Sequence, residues 1–132
     1  MANLTLVRGL PGSGKTTLAQ DLAAATNAAL FEADHYFYRN GVYTFDASKL
    51  PQAHDQCYGN TWRCLVIKGR SAIVANTFST MREMQPYISL ARSSRVALQV
   101  IECHGSFGSV HGVPRETIER MRARWEPFRK TA

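Results

Sequence analysis

Eight residues near the start of the chain have the types and the spacing of a phosphate-binding loop. Gly9 to Thr16 reads G-L-P-G-S-G-K-T, which matches the pattern GxxxxGK[ST]. Glycines let the backbone turn so that successive N–H groups point at one anion. A helix that begins near Lys15 would add the positive end of its dipole. The predicted nucleotide-binding residues are Gly9, Pro11, Gly12, Ser13, Gly14, Lys15, Thr16 and Thr17.

Two side chains of this loop have separate roles in the predicted chemistry. Lys15 is expected to contact the β- and γ-phosphates, which makes it a catalytic candidate. The Thr16 hydroxyl is expected to coordinate Mg²⁺, so the predicted cofactor is Mg²⁺ and the predicted substrate is ATP. The chain has no guanine-selecting Asn-Lys-x-Asp sequence, which disfavours a GTPase. Motors and multidomain ATPases need longer chains, so a small phosphotransferase is favoured.

A second catalytic candidate is the carboxylate that directly follows the second predicted strand. A kinase needs a group that accepts or orients the proton of the acceptor hydroxyl. Asp34 comes after the apolar stretch 28–32 and is the predicted general base. Glu32 lies two residues earlier, and we expect it to reach the mouth of the site less well. The alternative for Asp34 is a structural role in a helix cap or a turn.

The end of the third predicted strand lacks the acid that often holds Mg²⁺ through water at this position. The sequence there is Ala75, Asn76 and Thr77. Either Asp34 takes over part of the metal binding, or Asn76 and Thr77 act as neutral polar ligands. Asn76 is also a candidate contact to substrate or water. Its alternative is a turn residue that hydrogen-bonds its own backbone.

A glycine- and serine-rich loop at about residues 104–113 is predicted to act as a lid over the phosphates. The loop contains no arginine, but His111 lies in it. Arg120 and Arg124 share one face of the helix that is predicted to follow. These three residues and Arg39, which lies in an aromatic stretch rich in turn residues, are candidates for substrate or lid contacts. The alternative for the arginines is a solvated helix face paired with neighbouring glutamates.

Strand and helix patterns alternate along the chain. Strands are predicted over 3–8, 28–32, 71–75 and 96–102, and helices over 15–26, 50–68, 81–93 and 115–125. Ser48 and Thr80 are the predicted N-caps of the second and third helices, and Pro86 is expected to mark the first turn of the third. Asn40 and Gly41 predict a tight turn. This alternation predicts an α/β fold with a parallel sheet covered by helices on both faces. Ligands of such sheets bind at the carboxyl ends of the strands. The glycine loop, Asp34 and Asn76 all fall at those ends.

Length and composition limit the function classes. The 132 residues suffice for one domain, 1–132, and the formal net charge of +6 lies entirely after residue 60, which suggests an anionic partner. No apolar run approaches the ~18 residues of a membrane span, so no membrane partner is expected. The first residues lack a signal-peptide pattern. The three cysteines have no CxxC spacing, which favours reduced thiols and a cytoplasmic location.

Matching segments along nearly the whole chain carry a resemblance to a known family: 8–17, 33–37, 41–45, 53–54, 75–77, 83–87 and 111–114, together with Met121 and residues 124–126. On these segments the chain resembles the small P-loop kinase-like family of AAA-type ATP-binding proteins, related to the kinase domain of bacteriophage polynucleotide kinase. The resemblance implies a P-loop NTPase three-layer sandwich with four parallel strands in the order 2-3-1-4. It also implies that Asp34 acts as the general base and that Lys15 is the P-loop lysine.

The chain departs from that family at three points. Ala75 stands where the family often has aspartate, Phe37 stands where the phage enzyme has an arginine, and Gly105–Gly108 lacks the lid arginine. The predicted function is transfer of the ATP γ-phosphate to a hydroxyl or phosphate acceptor, such as a nucleotide or a polynucleotide 5′ end. The alternative is an ATPase or a nucleotide-dependent switch without a separate acceptor. A non-catalytic nucleotide- or nucleic-acid-binding module is a third hypothesis, although no aromatic and basic stacking surface is evident.

Overall fold

The computed structural model describes residues 2–108 and 112–130. The strands are β1 (Asn3–Gly9), β2 (Ala29–Phe31), β3 (Tyr38–Arg39), β4 (Val42–Tyr43), β5 (Ala72–Asn76) and β6 (Ala97–Cys103); the α-helices are α1 (Lys15–Thr26), α2 (Leu50–Trp62), α3 (Met81–Ser94) and α4 (Arg115–Ala123). Within the described ranges, no helix has both the length and the apolar character that a membrane crossing requires.

Four parallel strands form the central sheet in the order β2-β5-β1-β6. In terms of the four strands predicted from the sequence this is the order 2-3-1-4, so the predicted topology and the P-loop NTPase fold class are confirmed. Every residue of β5 is buried, which explains its continuous apolar sequence, since helices cover both faces of the sheet. Because the strands are parallel, the carboxyl ends of β1, β2 and β5 lie at the same end of the sheet.

Alternate residues of the strands face two separate apolar layers. On one face, Leu4 and Leu6 of β1 pack with Met84 of α3 and Ala53 of α2. On the other face, Val7 of the same strand packs with Ala19 of α1. The period of two along β1 thus divides its side chains between the layers, which gives the three-layer sandwich.

A small hairpin extends from the sheet after β2. A 3-10 helix, Ala33–Phe37, leads into β3 and β4, which pair antiparallel. Asn40 and Gly41 both have positive φ, 51° and 79°, as the predicted tight turn requires. The hairpin places aromatic side chains beside the carboxyl end of β2.

One predicted helix cap is confirmed, and three other expectations about the second and third helices differ from the structure. Thr80 caps α3 as predicted, since its Oγ1 accepts a hydrogen bond from the Glu83 N–H (3.2 Å), but Pro86 lies inside the helix rather than in its first turn. Ser48 is not the cap of α2, because a 3-10 turn over Ala47–Lys49 precedes it and the Asp46 side chain caps that turn. The α2 helix ends at Trp62 and continues as a π-helical turn, Arg63–Ile67, because the chain must turn there to enter β5.

Arg8 is completely buried at the end of β1 and joins four parts of the fold. Its guanidinium donates hydrogen bonds to the backbone oxygen of Phe78 (2.7 and 3.0 Å), to Glu102 of β6 (3.0 Å) and to the backbone oxygen of Glu126 (2.7 Å). The same group lies 4.1 Å from the centre of the Trp125 ring. The segment that follows α4 is therefore fixed to the strand that leads into the glycine loop.

Candidate active site

The glycine loop connects β1 to α1 in the conformation that phosphate binding needs. Gly12 and Gly14 have φ of 82° and 89°, in the left-handed region where side chains other than glycine are strained. The Ser13 N–H donates to the Leu10 oxygen (3.0 Å) and closes a tight turn. The first helical hydrogen bond runs from the Leu18 N–H to the Gly14 oxygen (3.0 Å), so the N–H groups of residues 15–17 have no partner within the helix. These N–H groups and the helix dipole form an anion-binding site.

Lys15 begins α1, lines a cleft together with Asp34, and interacts electrostatically with the carboxylates of Asp34 and Glu32. Burial lowers the pKa of Lys15, while the negative charges of Asp34 and Glu32 oppose that shift. Each of the two carboxylates therefore favours the charged form of the partly buried Lys15. An anionic ligand on the loop would meet a lysine that is already positioned.

Glu32, which is expected to reach the mouth of the site less well than Asp34, contacts the phosphate-binding loop directly. Thr16 Oγ1 donates a hydrogen bond to Glu32 Oε1 (2.8 Å), and Glu32 Oε2 lies 3.0 Å from Nε2 of His35. Burial alone would raise the pKa of Glu32, but the hydrogen bonds from His35 and Thr16 and the charges of His35 and Lys15 outweigh it, and the pKa is lowered. The hydrogen bond to Glu32 raises the pKa of His35 against the effect of burial.

Asp34 lies in the 3-10 helix that follows β2 and lines the same cleft as Lys15. Its Oδ1 accepts a hydrogen bond from the Tyr43 hydroxyl (3.2 Å). Burial and the negative charge of Asp34 raise the pKa of Tyr43, so that hydroxyl stays protonated and acts as a donor. Tyr43 was not predicted, because it reaches Asp34 through the hairpin turn and no local pattern indicates that contact.

Asn76 ends β5 and holds the chain beside Asp34. Its Oδ1 accepts a hydrogen bond from the Ala33 N–H (2.9 Å), and its Nδ2 lies 3.7 Å from the Cys57 sulfur of α2. Asn76 lines the cleft but is only 7% exposed. The side chain therefore connects β5 with the residue before Asp34, a contact that the sequence analysis did not predict.

These residues surround a cleft of about 1590 Å³. Pockets for single small ligands usually measure about 300–1,000 Å³, so the cleft has room for more than one. The glycine loop forms one wall, and Asp34, Tyr43 and Phe45 form part of another. Arg82, from α3, also lines it and was missed by the sequence analysis, because an exposed arginine on a helix has no distinguishing pattern.

The remaining candidate residues lie at different distances from the cleft. Arg124, just after α4, lines it and donates a hydrogen bond from Nε to Ser79 Oγ (2.9 Å). Arg120 is exposed on α4 and contacts Thr117 Oγ1 (3.2 Å), and Arg39 is exposed on the hairpin; neither lines the cleft in the part of the chain that the structure describes. His111 and the centre of the predicted lid, residues 109–111, lie outside the described residues.

Three similar proteins illustrate the relationships of the chain. Human NEDD4-binding protein 2 is 33% identical over 135 residues, an alignment that covers 95% of this chain; the chain spans about 8% of the length of that relative. Kti12 of Chaetomium thermophilum, solved in complex with ADP-AlF3, is 20% identical, with a TM-score of 0.68 over 94% of this chain and 80% of that one. A gluconokinase from Sinorhizobium meliloti 1021 is 16% identical, with a TM-score of 0.63 over 95% of this chain and 75% of that one.

Both solved structures support the P-loop kinase-like fold, and at these identities they show the fold alone. The family assignment depends on a separate match. The model of the AAA domain family matches residues 4–107, which include the glycine loop, Glu32, Asp34 and Asn76. Since that range is most of its length, the chain belongs to the AAA domain family.

Proposed function

We propose that this chain is a magnesium-dependent phosphotransferase that moves the γ-phosphate of ATP to an acceptor. One observation carries the proposal: Lys15 of the glycine loop and Asp34 after β2 line the same cleft, and their charges interact. A lysine that holds phosphate and a carboxylate that can accept a proton are the two groups that phosphoryl transfer to a hydroxyl requires. The cleft between them is large enough for a nucleotide and an acceptor.

The oxygen donors at the loop fit Mg²⁺. Thr16 supplies a hydroxyl and Glu32 a carboxylate with a lowered pKa, 2.8 Å apart. Among the described residues, no group of three or more His, Cys, Asp or Glu side chains could hold a metal by itself. Mg²⁺ commonly uses one or two protein oxygens together with substrate phosphates and waters, so this small donor set suits it. When bound, the ion would neutralise phosphate charge; Thr16 would hold it and Glu32 would orient Thr16.

Asp34 is the proposed general base. The Tyr43 hydroxyl donates a hydrogen bond to Oδ1 (3.2 Å), which orients the carboxylate that is proposed to accept the proton of an acceptor hydroxyl. Asn76 is proposed as a positioning residue, since it holds the Ala33 N–H (2.9 Å) beside Asp34. A fixed orientation of Asp34 should increase the rate of transfer, because a displaced carboxylate cannot accept the proton of the attacking oxygen.

Positive charge for the transferred phosphoryl group is proposed to come from Lys15 and Arg124. Arg124 lines the cleft, and its hydrogen bond to Ser79 Oγ (2.9 Å) restricts its side chain. A guanidinium held at the edge of the cleft would stabilise negative charge on the equatorial oxygens without reorganisation. Arg39 and Arg120 do not line the cleft, so they are proposed to contact only an acceptor that is large enough to extend beyond it.

The acceptor is proposed to be a hydroxyl compound or a phosphate compound, such as a nucleotide or a polynucleotide 5′ end. Aromatic side chains of the hairpin, Tyr43 and Phe45, stand beside Asp34 with nearly parallel rings (13°) and centres 6.4 Å apart. Phe45 is 51% exposed. Such a wall would favour an acceptor that carries a planar group, which supports testing nucleosides and nucleotides first.

The test is transfer of label from γ-labelled ATP to nucleosides, nucleoside monophosphates, and 5′-hydroxyl DNA and RNA. We expect label in one acceptor class, and we expect Asp34→Asn to reduce the transfer rate by about 10²–10⁴-fold with little change in ATP affinity. Glu119→Gln, an exposed carboxylate change on α4, serves as the matched control and should leave the rate unchanged.

Two outcomes would contradict the proposal. Normal transfer by Asp34→Asn would remove Asp34 as the base. Release of labelled phosphate into water, with none in any acceptor, would favour the ATPase alternative. The absence of an acid at the end of β5 was one reason to consider an ATPase. Glu32, which follows β2 and contacts Thr16, is proposed to supply that acid, so this reason is weaker.

A further inference from the structure

Among the large apolar side chains that the structure describes as exposed, Phe107 has the greatest exposed fraction, 79%. It follows β6 and lines the same cleft as Lys15. An aromatic ring in water loses the stabilisation that burial would provide, about 25 cal/mol for each Å² of apolar surface. An exposed ring at the mouth of a ligand cleft is therefore available to a ligand that has an apolar face.

The backbone holds Phe107 firmly against the glycine loop. The Phe107 N–H donates to the Gly12 oxygen (2.8 Å). Two ring carbons lie 3.2 and 3.4 Å from the position that a Cβ on Gly14 would occupy, and the Gly108 oxygen lies 2.6 Å from the corresponding position on Gly12. Glycine at these two positions thus serves close packing as well as loop conformation, and the ring of Phe107 lies beside Gly14 at the start of α1.

The sheet order indicates which end of a nucleotide would face Phe107. Asp34 follows β2 at one edge of the sheet, Phe107 follows β6 at the opposite edge, and the glycine loop follows β1 between them. A nucleotide on the loop whose γ-phosphate faces Asp34 directs its other end toward the β6 edge. That other end is the base, a planar heteroaromatic ring that stacks well on an aromatic side chain.

We infer that Phe107 is the stacking surface for the base of the bound nucleotide. The inference uses the proposed function only for the direction of the γ-phosphate. Stacking recognises the flat face that all bases share, so it adds affinity for a nucleoside and none for a bare phosphate chain. Phe107 and Lys15 therefore divide the ligand between them: the ring binds the base and the loop binds the phosphates.

The experiment measures equilibrium binding by calorimetry, with ATP and inorganic tripolyphosphate as the two ligands, each with Mg²⁺. Phe107→Ala is expected to weaken ATP binding roughly 10-fold, the usual scale of a lost base–aromatic stack. Tripolyphosphate binding should stay at the wild-type value, because it has no base. Phe107→Tyr, which keeps the ring, should restore ATP affinity, whereas Lys15→Ala should weaken both ligands.

Three results would overturn the inference: unchanged ATP affinity in Phe107→Ala, tighter ATP binding in that variant, or equal weakening of ATP and tripolyphosphate. The last result would mean that Phe107 supports only the shape of the loop. Binding is measured without turnover, so the two proposals fail separately. If ATP binds as expected but no label is transferred, the phosphotransferase proposal fails and the role of Phe107 stands.

Discussion

Replacement of Glu32 by glutamine tests whether this carboxylate supports the magnesium site in place of an acid after β5. Glu32 accepts hydrogen bonds from Thr16 (2.8 Å) and His35 (3.0 Å). Although burial raises its pKa, these hydrogen bonds and the nearby positive charges lower it overall, so Glu32 is charged at neutral pH. Glutamine keeps the size of the side chain but removes the charge and one of the two acceptor oxygens.

The size of the effect follows from these contacts. A hydrogen bond to a charged group contributes about 1.5–3 kcal/mol and a neutral one about 0.5–1.5 kcal/mol. The variant should therefore lose about 1 kcal/mol of the hydrogen-bond free energy that positions the Thr16 hydroxyl. Groups that orient metal ligands typically change metal affinity by about 10–100-fold. We therefore expect the half-saturating Mg²⁺ concentration for ATP binding to rise by roughly 10-fold or more.

Calorimetric ATP affinity over a magnesium titration, with a metal-free arm in EDTA, measures this effect without any need for turnover. Asp34→Asn is the matched control, because it removes an acid two residues away that is proposed to serve the acceptor. That control should slow transfer while its magnesium dependence stays as in the wild type. A wild-type magnesium dependence in Glu32→Gln, or a larger shift in the control, would refute the role of Glu32.

Three further changes test the surroundings of the site. Asn76→Ala should reduce stability to urea by about 1–3 kcal/mol and slow transfer at nearly constant ATP affinity, because the Ala33 N–H loses its acceptor; Asn76→Asp, which keeps an acceptor oxygen, should recover part of both. The folded-state pKa of His35 is raised, mainly by its hydrogen bond to Glu32, so its stabilising contribution is present below its ordinary value of about 6.5 and is lost as pH rises through the folded value. Urea unfolding should accordingly show a larger cost of His35→Gln at pH 5.5 than at pH 8.5, and equal costs would contradict the pairing. Arg8→Met should cost about 3–5 kcal/mol in the same assay, because the backbone oxygens of Phe78 and Glu126 and the partly exposed carboxylate of Glu102 all lose their donor, whereas Arg115→Met on the exposed surface should change stability by less than about 0.5 kcal/mol.

The fold was predictable from sequence because its signals are local. The apolar stretch of β5 and the glycines before Lys15 each specify a backbone conformation within a few residues. The alternation of strands and helices then leaves few topologies, and the order of the four strands agreed with the prediction. Asp34 could be placed near the loop by the same reasoning, since it ends a strand.

Contacts that depend on distant segments were not predictable in the same way. Glu32, the extended residue between β2 and the 3-10 helix, contacts Thr16, which lies 16 positions earlier in the chain, and no local pattern of residue types indicates that contact. Tyr43 meets Asp34 only after the hairpin has folded back. Phe107 lies against Gly12 and Gly14 because β6 pairs with β1, and no residue near it in sequence indicates that neighbour.

The burial of Arg8 has a consequence for the order in which the chain folds during synthesis. The guanidinium in β1 pairs with the carboxylate of Glu102 and donates to the backbone oxygen of Glu126, 118 positions later, so the buried donors of the strand that leads into the glycine loop are not all satisfied until almost the whole described chain has been made. Contacts this distant in sequence form late and slow folding. A nascent chain that ends before Trp125 would expose Arg8 and Glu102 to water and would keep β1 open to other partners, which is the kind of surface that chaperones bind. Pulse proteolysis of ribosome-bound chains of increasing length would therefore show protection of the loop only after residue 126 has left the ribosome.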